Sequence, residues 1–371
     1  MVEKPDRFRT VIVRRRGGLD AVAVVERPPA APGPGEVLVR VLTAPVCQDD
    51  VAIRRGNRPF LRRPPFVPGY AFIGEVVEVG ADVHHVEAGD RVTALTRFDS
   101  HAEYIVWPSA EVAPVPADVD PVAAAAIPLN YLVAHQVLHR VAKVRPGQTA
   151  LVIGASGGVG TALLDLARHA GLRTYGTASP AKHPVVASLG ATPVDYHDTD
   201  LVATIRAAEP AGLDFVFNGM GPEYLAPGLA LLHGGGRLVA YGAPQSLPDL
   251  ARLLGRLVAT NVLPNGKTIT GYGTHRQGVD TFKQDWATLF ALLRDGHIHP
   301  VIHTTYPLTD AVRAYEVLES GTVVGTIVLI ADPDRVIGRH TGLSPSGQTV
   351  RAQVPGKTTA RTGAWQAWGH V

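Results

Sequence analysis

A single glycine-rich turn is the part of the sequence whose residue types and spacing most clearly predict chemistry. Within residues 151–171 (LVIGASGGVGTALLDLARHAG), an apolar run leads into Ala155, Gly157 and Gly160, and a helical pattern follows. This is an A-x-G-x-x-G variant of the dinucleotide fingerprint, in the strand–turn–helix setting that the fingerprint requires. Gly157 lets the backbone approach a pyrophosphate, and Gly160 lets helix and strand pack closely. The alternative is a tight turn with no ligand. The predicted phosphate-binding residues are Ser156, Gly157, Gly158, Val159 and Gly160.

The residues after the second strand of this unit indicate which dinucleotide binds. Enzymes that prefer NAD carry Asp or Glu about 20 residues after the glycines, bonded to the ribose 2′-hydroxyl. Here Ala178 and Ser179 stand at that place. A short hydroxyl and a nearby cation favour a 2′-phosphate, which a carboxylate would repel. We predict that Ser179, Lys182 and Tyr196 hold the 2′-phosphate of NADPH. The alternatives are a solvated helix residue for Lys182 and a packing residue for Tyr196.

Two residue pairs at the ends of later strands are further candidates for the cofactor site. Asn218-Gly219 and Tyr241-Gly242 follow the apolar runs LDFVF and GRLVA. In open α/β sheets, ligands bind at the carboxyl edge of the strands. We therefore expect both pairs to line the cofactor channel, the alternative being that they are ordinary turn residues.

The elements around these residues predict an α/β fold. Strands at 149–154, 173–178, 213–219 and 236–242 alternate with helices, which indicates a doubly wound parallel sheet. The first ~120 residues instead contain short valine-rich runs separated by proline and glycine, typical of a β-rich unit. Strands are predicted there at 37–44, 72–80 and 90–95. Residues 121–144 read as helical, and a last strand at 323–330 is expected to return to the N-terminal unit.

The composition excludes several classes of protein. Apolar residues make up 46% and charged residues 18%, which excludes disorder over most of the chain. The net charge of +2 provides no overall field for nucleic acid or an anionic membrane. We find no apolar run of the ~18–20 residues that a membrane span needs, and no signal peptide in MVEKPDRFRT. The single cysteine excludes an intramolecular disulfide, and we expect a cytoplasmic protein.

Residues 8–331 resemble the medium-chain dehydrogenase/reductase superfamily, most closely its zinc-independent quinone oxidoreductase branch with the VAT-1-like proteins. The resemblance rests on GPGEVLVRV, VPGYAFIGEVVEVG, AGDRVTAL, HAEYIV, the glycine turn, LGATPVDY and GGGRLVAYG, in this order. It implies a GroES-like β-barrel domain, a Rossmann domain, a cleft between them for nicotinamide and substrate, and a homodimer joined through the Rossmann sheets. We accordingly expect domains at 1–125 with 302–332 and at 126–301, and a flexible tail at 333–371.

Two segments decide the expectation about zinc. The zinc alcohol dehydrogenases of the superfamily use a thiolate in G-x-C-x-[ST]-D and an imidazole and a carboxylate in P-G-H-E. Here Cys47 falls on the thiolate position, but Tyr70 and Ala71 replace the imidazole and the carboxylate. A zinc site needs three or four ligands, so we predict no metal. Cys47 is then a buried small residue near the cleft. The family also often has G-K-x-V in its last strand, where this chain has Thr326 in place of the lysine.

Without a metal, a polarised acceptor is the easier substrate. A quinone or a C=C bond conjugated to a carbonyl spreads the charge of an arriving hydride onto oxygen. We therefore expect an NADPH-dependent reductase of quinones or enones. The candidate catalytic residues are Tyr70, Asn130 and Asp50, with packing, structural and orienting roles as the respective alternatives. Two other functions remain open: a dedicated biosynthetic ene-reductase, and an NADPH-binding protein with a structural role and little turnover.

Overall fold

The structure is a computed structural model that describes residues 5–57, 62–196, 201–242, 246–262, 264, 266–333 and 336. Of the predicted tail at 333–371, only residues 333 and 336 are among them, so that prediction lies outside the described residues. Val336 is buried beside Leu42 and Ile330.

The N-terminal part of the chain forms β-structure, as its valine-rich runs predict. An antiparallel hairpin comes first, and a seven-stranded sheet follows it. The hairpin was not predicted. Its strands are β1 (Phe8–Val13) and β2 (Val22–Arg27). The strands of the larger sheet are β3 (Glu36–Val46), β4 (Ala71–Val79), β5 (Arg91–Leu95), β6 (Tyr104–Pro108), β7 (Ala113–Pro114), β14 (Ile302–Pro307) and β15 (Thr326–Ile330). Their order is β14-β15-β3-β4-β5-β7, with β6 paired to β3.

The last strand returns to the first sheet, as expected. β15 pairs antiparallel with β3 and parallel with β14. A helix that the sequence analysis missed, α1 (Gln48–Arg55), follows β3 directly. It begins with acidic residues, ends with arginines and is closed by Gly56 at φ +87°, which suits the helix dipole and a left-handed C-terminal cap. The helix α10 (Ala311–Glu319) packs against it, and Glu319 forms an ion pair with the buried Arg54.

The second sheet is fully parallel and six-stranded, which confirms the predicted doubly wound fold. Its strands are β8 (Thr149–Ile153), β9 (Arg173–Ala178), β10 (Thr192–Asp195), β11 (Leu213–Asn218), β12 (Leu232–Ala240) and β13 (Thr268–Gly271). Their order is β10-β9-β8-β11-β12-β13, and the direction of the strand order reverses between β8 and β11. A ligand-binding crevice is expected at the carboxyl ends of the strands at such a reversal.

Helices cover both faces of this sheet and bury two apolar clusters against it. Strand and helix alternate because each apolar strand is followed by an amphipathic segment. The glycine that was predicted to end the first helix, Gly171, adopts φ +73°. The helices are α4 (Gly158–His169), α5 (His183–Ser188), α6 (Leu201–Ala208), α7 (Leu225–Leu231), α8 (Leu247–Val262) and α9 (Val279–Arg294).

A long helical stretch joins the two sheets and corrects one expectation. Pro121–Ala142 comprises α2 (Pro121–Ala124) and α3 (Leu132–His135), each followed by a wider π-helical stretch. Among the described residues, this stretch alone is long and apolar enough to cross a membrane. The statement that no run reaches that length was therefore wrong. However, 72% of the apolar window is buried in the protein, where α3 packs on α4 as a core helix does.

Candidate functional site

The glycine turn has the geometry that its spacing predicts. β8 ends at Ile153, Gly154 turns the chain at φ +82°, and α4 begins at Gly158. A Cβ on Gly160 would lie 2.1 Å from the carbonyl oxygen of Gly154, so only glycine allows α4 to approach the strand this closely. A Cβ on Gly157 would meet just that same oxygen, at an ordinary 3.5 Å. The space in front of Gly157 is thus open, and the first-turn amides of α4, which lack intrahelical acceptors, can bind an anion there.

A cleft of about 660 Å³ runs from the glycine turn to the N-terminal sheet. It contains every predicted cofactor residue except Asn218, and it contains two of the three catalytic candidates, Tyr70 and Asn130. The third, Asp50, lies behind its wall. The residues that line the cleft and were predicted are Tyr70, Asn130, Ser156, Gly157, Gly158, Val159, Gly160, Ser179, Lys182, Tyr196, Gly219, Tyr241 and Gly242.

Asn130 joins the glycine turn to the last strand. Its amide nitrogen donates a hydrogen bond to the Thr326 hydroxyl at 2.9 Å, and both residues are buried. A Cβ on Gly158 would lie 2.5 Å from the same nitrogen, so the amide lies directly against the turn. The Gly325 amide donates to the Ser156 carbonyl at 2.9 Å. Thr326, which takes the place of the family's lysine, therefore still belongs to the cofactor end of the cleft.

Ser179, Lys182 and Tyr196 lie at one end of the cleft. Ala178 and Asp195 are paired in neighbouring parallel strands, so the residues that follow them, Ser179 and Tyr196, leave the sheet side by side. The Lys182 ammonium donates to the carbonyls of Gly321 and Val323 at 2.6 and 3.0 Å, and burial lowers the pKa of this lysine. Lys182 is thus held across the cleft by neutral acceptors that an anion can replace.

The two predicted residue pairs behave differently. Asn218 is buried; its side-chain nitrogen donates to the Gly221 carbonyl, and its side-chain oxygen accepts from the Met220 amide. It therefore shapes the loop after β11 and lines a smaller neighbouring cavity of about 110 Å³. Tyr241 reaches the main cleft. A Cβ on Gly219 would lie 2.5 Å from its ring, which explains the glycine at that position. Burial raises the pKa of Tyr241, so its hydroxyl keeps its proton.

At the other end of the cleft, Tyr70 contacts a histidine that the sequence analysis missed. The Tyr70 hydroxyl lies 3.1 Å from Nε2 of His275, in the turn after β13, and Arg97 Nε donates to the same nitrogen at 3.2 Å. Burial raises the pKa of Tyr70 well above its usual value, and the charge of Asp49 raises it further. The phenol is therefore a protonated donor at neutral pH.

Asp50 supports this end of the cleft from behind. It is 2% exposed, and its carboxylate accepts hydrogen bonds from the Cys47 amide and thiol at 2.9 and 3.1 Å and from the Gly69 amide at 3.0 Å. It thereby caps α1 and fixes the backbone next to Tyr70. Burial and the charges of Asp50 and Asp49 raise the pKa of the half-buried Cys47 thiol well above its usual value.

Other cleft residues had no usable signal in the sequence. They come from turns and strand ends far apart in the chain. They include Gln48, which begins the unpredicted helix α1, and also Thr177, Met220, Tyr224, Thr274 and Val323. Cys47, which was expected near the cleft, lines it as well, as do Asp49 and Thr326.

Comparison with known proteins agrees with this architecture, in which a barrel-like sheet and a parallel nucleotide-binding sheet share one cleft. Residues 33–117 match the alcohol dehydrogenase GroES-like domain, and residues 189–329 match the zinc-binding dehydrogenase family. These features define a medium-chain dehydrogenase/reductase.

Individual proteins narrow the assignment. The synaptic vesicle membrane protein VAT-1 homolog of Rattus norvegicus is 33% identical over 344 residues, covering 88% of this chain and 85% of that protein. The 2-haloacrylate reductase of a Burkholderia species is 28% identical over 328 residues, covering 86% and 98%. The chain belongs to the medium-chain dehydrogenase/reductase superfamily, in its VAT-1-like and quinone oxidoreductase-like branch, and is an oxidoreductase.

Solved structures agree in fold over nearly the same part of the chain. The mycobacterial Rv1454c complexed with NADPH gives a TM-score of 0.78 at 30% identity and covers 87% of this chain and 99% of that one. The Escherichia coli quinone oxidoreductase complexed with NADPH gives 0.78 at 25% identity, with the same coverage. The GroES-like and Rossmann folds implied by the resemblance are thus confirmed.

The donor set does not fit the zinc in the family's name. Cys47 is a protonated thiol bonded to Asp50, and Tyr70 occupies the position of the imidazole. Among the described residues, no group of three His, Cys, Asp or Glu side chains is placed to hold a metal ion. A catalytic zinc needs three protein ligands. The residues at this site therefore do not fit a catalytic zinc.

Proposed function

We propose that this protein is an NADPH-dependent, metal-independent reductase that transfers hydride to a quinone or to a C=C bond conjugated with a carbonyl. One observation carries the proposal: a single cleft joins the glycine turn, a lysine and a serine suited to a 2′-phosphate, and a protonated tyrosine. The small-molecule substrate would lie between Tyr70 and the glycine turn.

The preference for NADPH rests on residue type and placement. No carboxylate follows β9, where an NAD enzyme would place one; Ser179 stands there instead. Ser179 and Tyr196 leave adjacent strands, and Lys182 lines the same end of the cleft. The complexes of the mycobacterial and Escherichia coli relatives with NADPH support the same choice.

The class of hydride acceptor is inferred from the hydrogen-bond donor that the cleft contains. NADPH, when bound, supplies a hydride, that is, two electrons and one proton. Addition to a quinone or enone moves the negative charge onto the acceptor oxygen, where it needs a hydrogen-bond donor and then a proton. Tyr70 has the required protonated hydroxyl in the cleft. Asn130 orients the glycine turn and Thr326, and Asp50 positions the backbone beside Tyr70 without touching the reactants.

Cofactor binding tests the first part of the proposal. We expect Lys182→Ala to weaken NADPH binding roughly 10- to 100-fold, since a charge-assisted hydrogen bond contributes about 1.5–3 kcal/mol, and to leave NADH binding unchanged. Lys283→Ala, on α9 and outside the cleft, is the matched control. Calorimetric titration with both nucleotides measures this. Equal affinities of the wild type for NADPH and NADH would refute the NADPH preference.

Turnover tests the second part. Mixing the protein with NADPH and a panel of quinones and enones, and following cofactor absorbance, is expected to show reduction of at least one class. Activity confined to a single metabolite would instead indicate a dedicated biosynthetic ene-reductase. Tight NADPH binding with no turnover would favour a structural role.

We also propose a cytoplasmic homodimer joined at the Rossmann sheet. An apolar stripe on α8 supports this, because α8 packs beside the edge strand β13 and leaves large side chains exposed: Leu247, Leu254, Val258 and Val262 are each more than half exposed. Sedimentation equilibrium is expected to give twice the chain mass. A monomer at micromolar concentration would refute the dimer.

A further inference from the structure

The contact between Tyr70 and His275 crosses the cleft. Tyr70 directly precedes β4 of the N-terminal sheet, whereas His275 lies in the turn after β13, at the far edge of the parallel sheet. The two ring centroids are 5.7 Å apart, and the hydroxyl lies 3.1 Å from Nε2. At the Tyr70 end of the cleft, a hydrogen bond thus joins two residues that are 205 positions apart in the chain.

Arg97 decides which form of the imidazole makes this contact. Arg97 Nε can only donate, and it lies 3.2 Å from His275 Nε2. Nε2 must therefore be unprotonated, which places the ring proton on Nδ1. The Tyr70 hydroxyl is then a donor that shares the single lone pair of Nε2 with Arg97. Desolvation of the ring and the Arg97 charge lower the pKa of His275 to about 4, which keeps the imidazole neutral.

The backbone around Arg97 is arranged to hold this geometry. The amides of Thr96 and Arg97 both donate to the Tyr70 carbonyl, at 2.8 and 3.1 Å. Arg97 itself adopts φ +65°, a left-handed conformation that costs a residue with a side chain about 1 kcal/mol or more. Strain of this kind persists where the surrounding structure requires it, and it is common at functional sites.

We propose that His275 is the positioning residue for Tyr70, with Arg97 fixing the imidazole tautomer, and that the pair holds the tyrosine hydroxyl ready to donate to the oxyanion that forms on the acceptor. A neutral imidazole and a neutral carbonyl compete for the hydroxyl on similar terms. A developing oxyanion accepts a hydrogen bond about twice as strong, so the hydroxyl turns to the substrate as charge builds up. The catalytic consequence of this inference rests on the proposed reductase function, whereas the geometry of the contact between Tyr70 and His275 does not.

Kinetics of five variants with NADPH and 1,4-naphthoquinone test the catalytic consequence. His275→Ala is expected to lower kcat about tenfold with unchanged NADPH affinity. His275→Gln is expected to keep kcat within about threefold of wild type, because its amide oxygen can accept hydrogen bonds from both Tyr70 and Arg97. Tyr70→Phe with His275→Ala is expected to be no slower than Tyr70→Phe alone, because His275 acts through Tyr70. His84→Ala, an exposed loop histidine outside the cleft, is the control.

The imidazole itself gives a readout that needs no turnover. In two-bond ¹H–¹⁵N spectra at pH 7, with the His275 signals assigned by their loss in His275→Ala, we expect an unprotonated Nε2 whose shift changes in Tyr70→Phe. A protonated Nε2, or multiplicative effects of the two substitutions on kcat, would overturn the inference. The expected spectra together with no turnover on any acceptor would refute the proposed function and leave the hydrogen-bond arrangement standing.

Discussion

Removing the Asp50 charge should make the only cysteine of the chain more reactive. The Asp50 carboxylate accepts from the Cys47 thiol at 3.1 Å, and after burial it raises the pKa of that thiol most. Across this distance Coulomb's law gives about 5 kcal/mol at an effective dielectric constant of about 20. We expect solvent at the half-buried thiol to reduce this to about 1–2 kcal/mol, so that Asp50→Asn lowers the pKa of the thiol and raises its thiolate fraction about tenfold.

The expected rate follows from this fall in pKa. About ten times more thiolate, with a nucleophilicity about threefold lower, should make alkylation about threefold faster in Asp50→Asn. Asp49→Asn also removes one negative charge, but it leaves the hydrogen bonds of Asp50 in place. The charge of Asp49 raises the pKa of the thiol less than the charge of Asp50 does. Its effect should therefore be smaller.

Iodoacetamide labelling followed by mass spectrometry measures these rates without ambiguity, because the chain has one cysteine. Thermal melts establish that each variant is folded at the temperature of the assay. The reasoning would be refuted if Asp49→Asn accelerated labelling as much as Asp50→Asn did. It would also be refuted if the wild-type thiol reacted as fast as a free one.

Two further predictions concern the parallel sheet. Gly160→Ala places a Cβ 2.1 Å from a backbone oxygen and should lower the free energy of unfolding by about 1–3 kcal/mol. Gly255→Ala lies inside α8 with nothing within 4 Å of its Cβ, and it should raise the free energy of unfolding by up to about 1 kcal/mol. Urea melts that rank the two variants the other way would contradict the packing argument. Asp285 is buried, which would raise its pKa, but hydrogen bonds from His135, Arg140 and Gln136 outweigh burial and lower it to about 2 from 3.8. The ionised Asp285 therefore stabilises the folded protein above pH 3.8, and this stabilisation is lost as the pH falls through about 2. Asp285→Asn should lower the free energy of unfolding by about 2 kcal/mol at pH 7 and by little at pH 2. A difference between variant and wild type that does not depend on pH would contradict this prediction.

The sequence predicted the cofactor half of the molecule better than the acceptor half. The strands and helices around the glycine turn are long enough for their periodicity to show, and the turn is a local motif whose chemistry depends on neighbouring residues. Helix α1 was missed because eight residues are shorter than the window over which periodicity can be read, although Gly56 and the charges at its ends are terminal signals.

The acceptor half depends on contacts that no local pattern encodes. Tyr70 was found because it replaces a ligand in a known segment, but its partner His275 lies in a different sheet. Asn130 was identified as a candidate, but its bond to Thr326 was not foreseen, because the two residues are 196 positions apart in the chain. Asp50 was a catalytic candidate with an orienting role as the alternative, and the structure places it behind the cleft wall, where it caps a helix and holds the backbone beside Tyr70.

The pairing of β15 with β3 also fixes the order in which the nascent chain can be completed. Strand β3 emerges from the ribosome early, but its neighbour on one side is synthesised only after all six strands of the parallel sheet. The parallel sheet can therefore assemble during translation, whereas one edge of β3 stays unpaired until residues 326–330 have been synthesised. Any premature stop before residue 326 would leave that edge unpaired and prone to association with other chains.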